Sequence, residues 1–312
     1  MFPVRWGITL ALVLFAAAGG EDSRGQSLSD FCGALLEGKS GAIYVADLSA
    51  PKIICAVGDS AILSGTQKFP PGSVFKIITA VAALEQGIDP RRQVKCTYWY
   101  EIPNGERLAC SWRPGHGKID LVDAIGKSCS FYFYSLIDRG VSIARIENVA
   151  KMFFDIPQSP YFAEFYREDG ADFPYRFAMG LTGVLVSPKS VLRMITAVAT
   201  AGELPDFERE KYDKIRLSDD SEWGIIRKGL RKATTTGICA GIFPDSLSVA
   251  GKTGTAPLPE NPAITCGWFA GYCSTEGKPE YAVVVFLVDA TGYTDAAPLA
   301  GKIFEFLQHE RK

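Results

Sequence analysis

Ser73-Val74-Phe75-Lys76 sets a hydroxyl and an amine three residues apart, behind Pro70-Pro71-Gly72 and ahead of an apolar run. Neither proline can continue a helix backwards, so the sequence predicts a helix that begins near Gly72 and covers 73–86. Residues i and i+3 share a helical face, which brings the Lys76 amine within reach of the Ser73 oxygen. Serine is a weak nucleophile until a base takes its proton, and a desolvated lysine is such a base. Free N–H groups at the helix start also suit an oxyanion. A Ser-x-x-Lys pair on its own reads equally well as a capped core helix with a solvated lysine. The residues that follow weigh against that. Val74, Phe75, Ile77, Ile78, Val81, Ala82, Ala83 and Leu84 make the helix apolar almost all round, and Gly87 closes it. Lys76 then has no route to bulk water, and a buried lysine must be paired, shifted in pKa or working.

Two further segments carry polar groups of the same kind. Val249-Ala250-Gly251-Lys252-Thr253-Gly254-Thr255-Ala256 contains a Gly-Lys-Thr run, but a phosphate loop needs glycine five positions before Gly251, and position 246 is serine. The β-prone runs at 264–272 and 281–288 that follow place this segment on a strand instead. Gly251 and Gly254 would let a ligand backbone come close to that strand's edge. Between the two lies Lys127-Ser128-Cys129-Ser130-Phe131-Tyr132-Phe133-Tyr134. Alone it reads as a turn before an aromatic helix. A Ser-x-x-Lys, a later Ser-x-polar and a final Lys-Thr-Gly in this order form a set known from serine acyl-transfer enzymes.

On these elements the chain resembles the penicillin-binding transpeptidase family. The resemblance rests on Pro-Pro-Gly-Ser-Val-Phe-Lys-Ile-Ile-Thr-Ala at 70–80, Gly-His-Gly-Lys-Ile-Asp at 115–120 and Ser-Cys-Ser-Phe-Tyr-Phe-Tyr at 128–134. Gly-Lys-Thr-Gly-Thr-Ala at 251–256 and Asp-Ala-Ala-Pro at 295–298 complete it, so it runs from about residue 40 to the end. The Gly-His-Gly and Tyr-Phe-Tyr elements look most like the elongation-type, class B members. The resemblance implies a serine D,D-transpeptidase acting on peptidoglycan stem peptides, with β-lactams as inhibitors. Ser73 would be the nucleophile, Lys76 its base and Ser128 the proton relay. Lys252 and Thr253 would hold the substrate carboxylate, beside Gly254. The N–H groups of Ser73 and Thr255 would form the oxyanion hole. No cofactor is needed for that chemistry. The family usually has Asn, sometimes Asp, where this chain has Ser130, and a hydroxyl carries fewer hydrogen-bonding positions than an amide. D,D-carboxypeptidase or β-lactamase activity, or a penicillin-binding sensor that acylates without turnover, are the alternative readings.

To bring 73, 128 and 252 together, the chain needs a scaffold. The hydrophobic pattern predicts helix 27–36, strands 41–48 and 52–57, and helices 73–86, 120–138, 142–154, 187–201, 222–232 and 296–308. Two late strands join the Lys-Thr-Gly strand. The expected fold is α/β and two-lobed: an antiparallel five-stranded sheet flanked by N- and C-terminal helices, plus an inserted all-helical lobe, with the site between the lobes. Residues 168–172 read as a surface loop.

The eight cysteines are an even count, which in an exported protein ordinarily means disulfides. Cys96, Cys110, His116 and Cys129 fall in one neighbourhood and make a three-thiolate, one-imidazole set suited to tetrahedral zinc. Residues 96–117 look loop-like and lack a core of their own. A structural zinc would order them; a Cys96–Cys110 disulfide is the equal alternative.

At 312 residues and 47% hydrophobic content the chain can bury one large domain, expected over 27–312. A formal charge of −2 with no basic block gives no case for nucleic acid. Arg5, the apolar run 6–18 and Ala16-Ala17-Ala18 predict a secretory signal, or a short anchor, over 1–20. The expected location is therefore periplasmic, or the outer face of the cytoplasmic membrane. The first strand comes so early that a pedestal or glycosyltransferase is not expected, and a separate glycan polymerase is the implied partner.

Overall fold

The first strand, Gly-Ala-Ile-Tyr-Val-Ala-Asp, is apolar on both of its faces, and the architecture follows from that. The computed structural model describes residues 26–154, 170–214, 220–244 and 246–310. Ser27 caps α1 (Leu28–Leu35) by accepting from Asp30 N at 3.1 Å. The hairpin β1 (Gly41–Asp47) and β2 (Lys52–Gly58) leads to the one-turn α2 (Ser60–Leu63). A 3-10 turn at Gly72–Phe75 feeds α3 (Lys76–Glu85). Four short strands follow: β3 (Val94–Cys96), β4 (Trp99–Glu101), β5 (Arg107–Ala109) and β6 (Gly117–Ile119). Helices α4 (Leu121–Gly126), α5 (Ser130–Asp138), α6 (Ile143–Phe153), α7 (Phe173–Ala178) and α8 (Pro188–Ala199) come next. After β7 (Glu203–Asp206), β8 (Lys211–Lys214) and α9 (Asp220–Thr235), the chain closes with three long strands. These are β9 (Ser248–Leu258), β10 (Asn261–Thr275) and β11 (Lys278–Val288), ahead of α10 (Ala297–His309).

The main sheet has the order β2-β1-β11-β10-β9 and is antiparallel throughout. Side chains alternate across it with period two. Ala42, Tyr44, Ala46, Val284 and Phe286 face the helical lobe, while Ile43, Val45, Val283, Val285 and Leu287 face α1 and α10. Both faces are covered, which is why these strands read as continuous apolar runs. Phe31 of α1 stacks on Phe306 of α10 with ring centroids 4.5 Å apart, so the two terminal helices close one face together.

The expected two-lobed α/β arrangement and five-stranded sheet are both present. The inserted lobe is mostly helical, and it also carries three two-stranded ribbons: β3 with β6, β4 with β5, and β7 with β8. Residues 96–117, expected to be loop-like, carry strand residues of the first two ribbons between their loops, and Ile102 and Leu108 join the main core from there. The expected helix 120–138 is two helices, α4 and α5, broken at 127–129. The expected signal at 1–20 lies outside the described residues, as do 168 and 169 of the expected loop. Among the described residues no helix is long and apolar enough to cross a membrane.

Candidate active site

The turn before α3 is fastened from three sides. Pro70 O accepts from Trp268 Nε1 at 2.9 Å and from the Cys266 thiol at 3.4 Å, and Gly72 N donates to Gly180 O at 2.9 Å. Gly72 has φ +51, and a Cβ there would stand 2.6 Å from Thr255 O. A Cβ on Gly254 would stand 2.5 Å from Pro71 O. The Ser73 turn and the Lys-Thr-Gly strand β9 therefore touch backbone to backbone, which only glycine allows at these two points. Gly254 makes room for the neighbouring turn and Gly251 for the Phe269 ring.

Lys76 is fully buried on α3, as its apolar surroundings require. Its Nζ donates to Ser128 O at 2.7 Å, to Ser128 Oγ at 3.3 Å and to Ser130 Oγ at 3.3 Å, with the Phe133 ring 5.4 Å away. Among the described residues, the hydrogen bonds of Lys76 run to this neighbouring motif and none runs to Ser73. Ser73 itself is half-buried. Lys252, also fully buried, donates to Ser128 Oγ at 2.8 Å and to Thr253 O at 2.9 Å. Thr253 is buried and Thr255 exposed; the Thr255 hydroxyl accepts from Gly292 N at 2.9 Å. All eight residues singled out for chemistry meet at the junction of α3, the α4–α5 break and β9.

Ser128 supplies the break. Its φ of +53 lies in the left-handed region, a conformation that costs a non-glycine residue on the order of 1–3 kcal/mol. The strain is held by its surroundings: Ser128 O accepts from Lys76 and from Ser111 Oγ at 3.0 Å, and its hydroxyl accepts from both lysines. Ser111 was not singled out by sequence, and nothing in its local pattern marks it. Tyr134, one turn after Ser130 on the same helix, donates its hydroxyl to Ala109 O at 3.4 Å, and the Ser130 hydroxyl accepts from Lys76.

Burial dominates the electrostatics. Desolvation, reinforced by the Lys252 charge, lowers the Lys76 pKa to about 7. Desolvation likewise lowers Lys252 to about 8. Near neutral pH one amine is therefore available as a base beside another that is still a cation.

Behind Ser128, the sulfurs of Cys96, Cys110 and Cys129 and a ring nitrogen of His116 all lie within 4.8 Å of one another. His116 Nδ1 is 3.7 Å from Cys96 Sγ and 3.4 Å from Cys110 Sγ, and Cys110 Sγ is 3.7 Å from Cys129 Sγ. The ribbon β3–β6 carries the first ligand and flanks the histidine, β5 leads into the second, and Cys129 caps α5. Three soft sulfurs and one imidazole converging from separate segments suit a closed tetrahedral site. His116 points its ring into the sulfurs, which a residue that merely fixed a turn would not require.

Comparison with known proteins places this geometry. Residues 41–305 match the family model of the penicillin binding protein transpeptidase domain. Peptidoglycan D,D-transpeptidase MrdA of Haemophilus influenzae is 26% identical over 296 aligned residues, covering 78% of this chain and 45% of that protein. Stage V sporulation protein D of Bacillus subtilis is 26% identical over 275 residues, covering 75% and 41%. The chain spans about half the length of the curated relatives it matches. Among solved structures, the penicillin-binding protein PBP2 of Helicobacter pylori superposes with a TM-score of 0.76 at 20% identity, over 93% of this chain and 63% of that one.

Proposed function

The chain belongs to the penicillin-binding protein transpeptidase domain family, and on that premise we propose that it is a serine D,D-transpeptidase acting on peptidoglycan stem peptides. The observation that carries the proposal is the paired engagement of one serine, Ser128, by two buried lysines from opposite lobes. In this reading Ser73 Oγ attacks the carbonyl of a terminal D-Ala-D-Ala bond. Lys76, held near neutrality by burial, accepts the serine proton. Ser128, hydrogen-bonded to both amines, passes a proton to the departing D-Ala amine. Lys252 and Thr253 receive the substrate carboxylate. The N–H groups of Ser73 and Thr255 stabilise the oxyanion, one at a helix start and one on the outer strand of the sheet. The amine of a second stem peptide then takes the acyl group and frees Ser73.

Ser130 stands where the family resemblance leads one to expect an amide, and its hydroxyl accepts from Lys76. Less of it is left for substrate, which favours slower positioning over a lost reaction. A carboxypeptidase or β-lactamase would need water activated for attack on the acyl-enzyme. The hydrogen bonds of Lys76 and Lys252 run to hydroxyls and carbonyls, and among the described residues no carboxylate bonds either amine.

Catalysis of this kind needs no cofactor. Cys96, Cys110, His116 and Cys129 would hold a zinc ion whose part is structural: it would fasten the ribbons to Cys129, between Ser128 and Ser130. The domain over 27–312 would work on the outer face of the cytoplasmic membrane, delivered by the segment 1–20, beside a separate glycan polymerase and open to β-lactams. Fluorescent penicillin tests the reading. A label that persists on the protein for many minutes supports a transpeptidase, or a sensor that acylates without turnover, and cross-linking of stem peptides separates the two. Rapid loss of label would indicate a β-lactamase, and no label would overturn the assignment.

A further inference from the structure

On the side of the sheet away from the site, Cys32 of α1 and Cys55 of β2 meet. They are 0% and 3% exposed and belong to the apolar cluster that joins α1 and α10 to the sheet. Each thiol is the largest influence on the other's pKa, raising that of Cys32 and lowering that of Cys55. Ser29, one turn before Cys32 on the same helix face, donates to Cys55 Sγ at 3.9 Å. Of the other cysteines, Cys96, Cys110 and Cys129 belong to the four-ligand cluster and Cys266 donates to Pro70 O, while Cys239, beside Thr253, and the half-buried Cys273 of β10 share the apolar cluster of Cys32 and Cys55.

Neither of the two elements so joined holds its place unaided. α1 has eight residues, too few for a helix to be stable without tertiary support. β2 is an outer strand, with one row of backbone groups lacking a sheet partner. We propose that Cys32 and Cys55 form a disulfide in the exported protein, a covalent staple between the N-terminal helix and the outer strand β2. The inference rests on the extracytoplasmic location proposed above, since a reducing compartment would keep both thiols free.

The bond forms by thiol–disulfide exchange with an incoming disulfide oxidant, either a protein oxidoreductase or oxidised glutathione. One thiolate attacks the oxidant and makes a mixed disulfide, releasing one oxidant thiol. The second attacks that intermediate, forms the Cys32–Cys55 bond and releases the other. Two protein thiols are oxidised and one oxidant disulfide is reduced to two thiols. Both sulfurs are buried once α1 has docked, so the exchange belongs to folding, before the helix seals the pair.

The test is peptide mapping of the full chain, exported to an oxidising compartment and alkylated at once under denaturing conditions. A Cys32–Cys55 linked peptide that disappears on reduction is expected as the main species for these two residues. Replacing Cys55 by Ala should leave Cys32 alkylated and lower the melting temperature by roughly 5 °C or more. Recovery of both residues alkylated, or of either linked to another cysteine, overturns the proposal. Refolding the reduced chain in a glutathione buffer then tells which premise failed: a linked peptide there faults the compartment, and free thiols fault the geometry. Labelling the same samples with fluorescent penicillin keeps the two readings apart. A linked peptide without label overturns the transpeptidase reading alone.

Discussion

Lys252 Nζ donates to Ser128 Oγ at 2.8 Å across the junction of the two lobes. Lys76 donates to the same hydroxyl from the other side, at 3.3 Å. One serine thus joins an amine on the Ser73 helix to an amine on the outer strand, and both amines are cut off from water. The cost of burying two like charges is lowered when one of them gives up its proton. That is the physical basis for a lysine base in this site.

The first prediction is a bell-shaped pH dependence of acylation. Lys76 works as a base only when neutral, so the rate should rise with pH through about 7. Lys252 works as a cation, so the rate should fall as pH rises through about 8. Second-order rate constants for penicillin acylation, measured over roughly pH 5 to 10, check this. A profile that stays flat between pH 6 and 9, to within about twofold, would contradict it.

Ser130→Asn should hold or raise the acylation rate. The amide reaches further than the hydroxyl and restores both a donor and an acceptor toward substrate. Stopped-flow acylation decides the matter. Slowing by about tenfold or more would mean that the Lys76–Ser130 hydrogen bond is itself needed.

Gly72→Ala should damage both fold and chemistry. The new methyl would lie 2.6 Å from Thr255 O on a backbone with φ +51. Steric overlap and left-handed strain together should cost about 2–4 kcal/mol. They should also push the Ser73 turn off β9. Chemical denaturation and acylation rates should fall together, whereas Gly87→Ala, with nothing within 4 Å, should lose stability through backbone strain alone.

Protein purified without chelator should contain about one zinc per chain, bound by Cys96, Cys110, His116 and Cys129. All three sulfurs must be thiolates to bind, so affinity should weaken as pH falls. A structural ion of this kind can contribute on the order of 10 kcal/mol to ordering its segment. Removing it should slow acylation through Ser128 and Ser130 and leave Ser73 chemically intact. Elemental analysis with thiol counting checks this; metal-free protein with Cys96 and Cys110 recovered as a disulfide would contradict it.

The parts of this molecule that local pattern controls were legible in the sequence. β1 and β11 alternate two apolar faces, α3 is apolar all round, and their bounds match the expected ones to within a few residues. The break at Ser128 was not legible, because its left-handed backbone is stabilised by Lys76 and Ser111, which come from distant segments. The ribbons over 94–119 escaped for a similar reason. Strands of three residues carry too little alternation to be recognised, and their pairing depends on contacts far along the chain. What fills the space beside Gly251 and Gly254, the Phe269 ring and the Pro71 carbonyl, is not visible in the sequence, because each comes from another segment. The convergence of Cys96, Cys110, His116 and Cys129 was legible only as a set of residue types.

The central claim is that Ser73 takes the acyl group, and intact-mass spectrometry after incubation with penicillin tests it most directly. The wild-type chain should gain the mass of one penicillin, and the adduct should map to the peptide containing Ser73. Ser73→Ala should melt at the wild-type temperature and gain no mass, because the half-buried hydroxyl carries little of the packing. An adduct that persists on the Ser73→Ala protein, or one that maps to Ser128 or a cysteine in the wild type, would contradict the account.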